Sequence, residues 1–91
     1  MSTQIPGGWS DFSFTLTPEA TAVFKAALTG LVGVVYTPLA FATQVVAGLN
    51  YCFLCEGKVV IPSNPEFPAL VYIYKHFEGA PHITEISRIN P

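Results

Sequence analysis

Gln44-Val45-Val46-Ala47-Gly48 contains no acid, base or hydroxyl, yet it stands between two runs rich in β-branched and aromatic residues, 34–41 and 49–55. Connections between strands are usually polar because their backbone faces water. This one ends in glycine, as a turn does, but carries two valines. An apolar hairpin tip is of more use against another protein than in solvent. The stretch therefore predicts a β-hairpin whose tip is a contact surface.

Working outward, residues 50–60 read as a strand that enters a connection at 61–68, where Pro62, Pro65 and Pro68 predict a rigid, irregular path. A further strand at 69–76 places Val71 and Ile73 on one face and Tyr72 and Tyr74 on the other. Phe77-Glu78-Gly79 then turns the chain into a last strand at 83–89, although Ile83, Ile86 and Ile89 do not alternate. Upstream, Pro38 interrupts the strand at 34–43 and belongs at a bulge or an edge. Thr17-Pro18-Glu19 opens a helix, with a hydroxyl N-cap, proline in the first turn and an acid at the positive dipole end. Ala20, Val23, Phe24, Ala27, Leu28 and Leu31 form one apolar stripe, and Gly30 and Gly33 mark the end. Phe12, Phe14 and Leu16 alternate with Ser13 and Thr15, which predicts a half-buried first strand. One helix and about five antiparallel strands make an α+β fold in a single domain spanning 1–91.

Charged residues are only 11% of the chain, against roughly 25% in typical domains. None occurs from Ala26 to Cys55. The net charge is −2 and the four basic residues are scattered, so no patch suits nucleic acid or anionic lipid. Residues 26–42 are apolar, but Gly30, Gly33, Pro38 and the β-formers beyond Val34 argue against a spanning helix. The first residues lack the basic start and apolar core of a secretory signal, so the cytosol is the expected location.

Cys52 and Cys55 spell C-x-x-C within a β-run. Three residues apart in a strand, their side chains point to opposite faces, on the order of 10 Å apart and beyond disulfide reach. No helix N-terminus lowers either thiol pKa, and zinc would need two more ligands when only His76 and His82 remain, near another loop. Buried, inert thiols are expected. Glu78 and Glu85 do not argue a carboxylate pair, and no catalytic residue, metal site or cofactor is assigned.

The run Gln44-Val45-Val46-Ala47-Gly48, followed by Asn50-Tyr51, resembles the first binding loop of the cystatins, in particular the stefin branch. Ile5-Pro6-Gly7-Gly8 resembles the N-terminal trunk of these inhibitors, and Phe77-Glu78-Gly79 falls where a stefin has its second binding loop. The order matches over about residues 5–89. The resemblance implies the cystatin fold, an antiparallel sheet wrapped around one helix, with residues 1–10 a flexible trunk. It implies reversible, tight-binding inhibition of papain-like cysteine proteases. Ile5, Pro6, Gly7 and Gly8 would enter the non-primed side, the 44–48 hairpin the centre, and Phe77, Glu78 and Gly79 the primed side. It also implies a monomer that can exchange its hairpin with a second copy, forming a domain-swapped dimer through an opened 44–48 segment. Glu78 stands where stefins commonly have proline, and the chain is several residues shorter than stefins between Pro18 and Gln44. The altered second loop and the charge depletion motivate the alternative of a non-inhibitory, protein-binding scaffold on the same fold.

Overall fold

Thr17 accepts a hydrogen bond from the Ala20 amide at 3.1 Å, so the helix begins as the sequence predicts. In the computed structural model, which describes residues 8–90, this is α1, Pro18–Leu28. It is followed by β1 (Val34–Val46), β2 (Gly48–Val59), β3 (Glu66–Lys75) and β4 (His82–Arg88). The four strands form one antiparallel sheet in the order β1-β2-β3-β4. At 11 residues α1 is too short to persist alone in water, and packing on the sheet stabilises it. Ala20, Val23 and Phe24 meet Tyr51, Phe53 and Cys55 of β2 and Val71 and Ile73 of β3. Phe24 stands edge-on to Phe53, ring centres 4.9 Å apart.

Two bulges explain the irregular patterns of the edge strands. The β1–β2 register shifts between Pro38 and Ala40, where the missing proline N–H costs no ladder bond. The β3–β4 register shifts so that Ile73 faces Ile83 while Tyr72 faces Glu85. The extra residue, Thr84, resets the alternation, and Ile83 and Ile86 both stand opposite core residues although they are three apart.

Three expectations are corrected. Residues 12–16 do not form a fifth strand. Among the described residues, only two isolated bridges, Trp9 with Gln44 and Ser13 with Phe41, join the stretch 8–16 to β1, and they are out of register by one residue. Serine hydroxyls account for this: Ser10 Oγ takes the Thr43 amide at 3.0 Å, and Ser13 Oγ both accepts from the Thr15 amide and donates to the Thr15 carbonyl. Side-chain bonds of this kind compete with a ladder. Phe12 and Phe14 are accordingly 42% and 72% exposed. Leu31 lies past the helix end and is exposed rather than part of its stripe. Finally, β3 starts at Glu66, inside the connection predicted to be irregular, because Phe67 packs edge-on to Tyr36 and under the Arg88 guanidinium, 3.7 Å from its ring centre.

Candidate functional site

In an antiparallel meander the β1–β2 and β3–β4 turns lie at one end and the β2–β3 turn at the other. The register carries β1 and β2 together up to Val46 opposite Gly48, which leaves Ala47 alone at the tip. Gln44, Val45 and Val46, expected in a turn, are thus strand residues, as β-branched side chains favour. Val45 and Val46 are 48% and 37% exposed.

The tip is held from both sides. Asn50 donates its amide to Gln44 Oε1 at 2.9 Å across the directly opposed pair. Tyr74 of β3 reaches over and donates its hydroxyl to the Ala47 carbonyl. Gly48 is buried with φ +111°, and a Cβ there would collide with the Lys75 carbonyl oxygen and come within 3.0 Å of His76 Cα. Glycine is therefore required twice, by the left-handed backbone and by the close approach of the next strand.

The second turn stands beside it. Gly79 closes the turn by donating its amide to the His76 carbonyl at 3.2 Å, and Lys75 Nζ donates to the same oxygen at 3.2 Å. The rings of His76 and Phe77 lie 5.6 Å apart, and Phe77 is 72% exposed. Glu78 is exposed at the turn's apex.

The chain N-terminal to the helix reaches this same end, because Trp9 bridges Gln44 and Ser10 donates its amide to the Thr43 carbonyl at 2.9 Å. Gly8 precedes that bridge directly. Of the residues singled out in the sequence, Gly8, Gln44, Val45, Val46, Ala47, Gly48, Phe77, Glu78 and Gly79 are brought to one end of the sheet. Ile5, Pro6 and Gly7 lie outside the described residues.

Three residues of this end escaped the sequence reading. Tyr74 registered only as an outward-facing strand residue, Asn50 only as part of a motif, and Trp9 only as the residue after two glycines. That Trp9 is the sole tryptophan was the one signal available.

Both thiols are unpaired and buried, and they face opposite sides of β2 as their spacing requires. Burial pushes the Cys55 thiol up to about 12. Burial also raises Cys52, outweighing the lowering effect of its hydrogen bond with Tyr72. Neither is poised as a nucleophile. Among the described residues no cluster of three or more His, Cys, Asp or Glu is arranged to hold a metal, and no helix is long and apolar enough to cross a membrane. No family model, curated protein or solved structure matches the chain.

Proposed function

We propose that this chain is a reversible, tight-binding inhibitor of papain-like cysteine proteases, with a cystatin-like fold of the stefin type. The observation that carries the reading is the adjacency, at one end of the sheet, of Gly8, the 44–48 hairpin tip and the 77–79 turn. The meander brings the two turns to one end, and the pairing of residues 9 and 10 with β1 adds Gly8 to it.

A protease of this class offers a cleft with pockets on both sides of its nucleophile. The hairpin tip is narrow, apolar and exposed, so Val45, Val46 and Ala47 bury apolar area on entering the cleft. The tip is also rigid. The Tyr74, Asn50 and Gly48 contacts order it before binding, which reduces the entropy lost on association. Ile5 and Pro6 fill the non-primed pockets, and Gly7 and Gly8 let the backbone pass the nucleophile closely without presenting a peptide bond in line for attack. Phe77 anchors the primed side. Glu78 makes that side selective, since a carboxylate entering a dry interface is costly unless the protease supplies a partner.

This reading assigns the chain no chemical step, no cofactor and no nucleic-acid or membrane partner. Its unpaired thiols suit a reducing compartment, and the cytosol is the proposed location. The active form is the monomer. A dimer formed by opening the hairpin would hide the tip and lose inhibition. The exposed acid at Glu78 also favours a second reading, a protein-binding scaffold that does not inhibit. Papain turnover in the presence of micromolar folded chain separates the two, since only the first predicts that it falls.

A further inference from the structure

β1 pairs with β2 along one side only, and its outer edge changes character at the bulge beside Pro38. On the hairpin side of the bulge that edge is occupied. Phe41 exchanges two backbone bonds with Ser13, and Ser10 bonds both ways to Thr43. On the other side it is open. Gly33 accepts the Val60 amide at 3.0 Å, so by alternation Val35 and Thr37 also turn toward β2, while Val34, Tyr36 and Pro38 turn outward. Among the described residues nothing bonds to the outward amides of Val34 and Tyr36, or to the outward carbonyls of Val34, Tyr36 and Pro38. The surroundings are apolar. A groove of about 210 Å³ lies between the helix end and this edge, lined by Phe24, Leu28, Leu31, Val34, Val35 and Tyr36. Leu31, Val35 and Leu39 are 41%, 57% and 48% exposed.

We propose that this open edge, residues 34–38, is a self-association surface on which a second copy of the chain pairs antiparallel about Tyr36. Exposed edges are normally blocked by charge, and a two-fold pairing is especially sensitive to it, because a charged strand set against its own sequence meets like charge. No charged residue occurs from Ala26 to Cys55, so nothing of that kind opposes the pairing. The other edge of the sheet, β4, carries Glu85 and Arg88, which disfavours adding β1 of one copy to β4 of the next. With Tyr36 on the axis, the two Tyr36 residues exchange a pair of backbone bonds, and each Val34 amide meets the Pro38 carbonyl of the other copy. Proline returns no donor, and the bulge ends the pairing just beyond it, so the contact is short. The paired edges with Leu31, Val35 and Leu39 remove roughly 500 Å² per copy from water, at the low end of specific interfaces. The association is therefore weak and reversible. The hairpin tip lies at the opposite end of β1 and stays uncovered, so the proposal does not rest on the inhibitor reading.

The test follows the full chain, kept unheated, by sedimentation velocity from about 1 to about 500 μM. It should associate with a Kd on the order of tens of micromolar and come apart on dilution. In this register Val35 stands directly opposite Thr37 of the second copy, and both side chains are exposed, so substitutions there spare the fold. Val35→Lys brings like charges together beside the axis and should raise Kd at least about tenfold. Combining Val35→Lys with Thr37→Glu sets each lysine opposite a glutamate of the other copy, and should return Kd to within about threefold of the parent. Thermal melting of each variant checks that the monomer is intact. A parent chain still monomeric at the highest concentration, a Kd unmoved by Val35→Lys, or a double variant as weak as the single one would each overturn the proposal. So would a dimer that appears only after warming and persists on dilution, which is the mark of an exchanged hairpin. Papain takes no part in these measurements, so their failure leaves the inhibitor reading to its own test.

Discussion

Gly48 and Gly33 stand at opposite ends of the sheet with similar left-handed backbones, φ +111° and +94°. Around Gly33 a Cβ would meet nothing within 4 Å, whereas around Gly48 it would strike the backbone of Lys75 and His76. Both ends expose apolar side chains: Val45, Val46 and Phe77 at one, Leu31, Val32, Val60 and Ile61 at the other. Exposure alone does not tell them apart. At the Gly33 end two loops meet through the Val60 amide and the Gly33 carbonyl, 3.0 Å apart. At the Gly48 end three chain segments are fitted together by backbone packing, a tyrosine hydroxyl and an amide pair. A shape specified this closely at an exposed, apolar surface is what a preformed binding edge requires.

Substituting the two glycines breaks the comparison most sharply. Gly48→Ala carries backbone strain of about 1–3 kcal/mol plus a collision with a neighbouring strand. It should lower Tm by roughly 10 °C and remove most inhibition. Gly33→Ala carries the strain alone, so its melting curve should shift less and its inhibition should persist. Deleting residues 1–8 comes next. Losing the burial of Ile5 alone, roughly 1.5–3 kcal/mol, should speed dissociation from papain at least about tenfold with little change in association. A truncated chain that leaves as slowly as the full one would remove the trunk from the site.

Smaller effects sharpen the contrast. Tyr74→Phe removes only the hydroxyl that holds Ala47, and a net hydrogen-bond contribution of about 1 kcal/mol predicts about fivefold weaker inhibition. At the far end, Val32→Ser with Val60→Ser should leave the inhibition constant within about twofold, the usual range for surface changes. If this pair weakened inhibition as much as Tyr74→Phe, the binding edge would have been assigned to the wrong end.

Much of this architecture was legible because side-chain periodicity reports burial directly. Thr17-Pro18-Glu19 marked the helix start, and Val71 and Ile73 against Tyr72 and Tyr74 separated the two faces of β3. Pro38 announced a bulge, and one lies beside it. Residues 12–16 misled because alternation says nothing about competing hydroxyls, and Ser10 and Ser13 take the bonds a ladder would use. Phe67 entered a strand from within a proline-rich stretch because its partners, Tyr36 and Arg88, are distant in sequence. The candidate site was legible as three motifs that the resemblance implied would line one edge, but the side chains that tie them together were not. That Tyr74 and Trp9 reach across neighbouring strands depends on register, which no local pattern encodes.

The central claim is that the end of the sheet carrying Gly8, the 44–48 hairpin and the 77–79 turn closes a papain-like active site. Size exclusion of a gently warmed sample, with each fraction titrated into papain and the inhibitor then checked by mass, tests it most directly. The account predicts that the monomer slows turnover in proportion to its concentration and is recovered uncleaved, while any exchanged dimer is inactive. A folded monomer at micromolar concentration that leaves papain turnover undiminished, or is cut within 44–48, would contradict it.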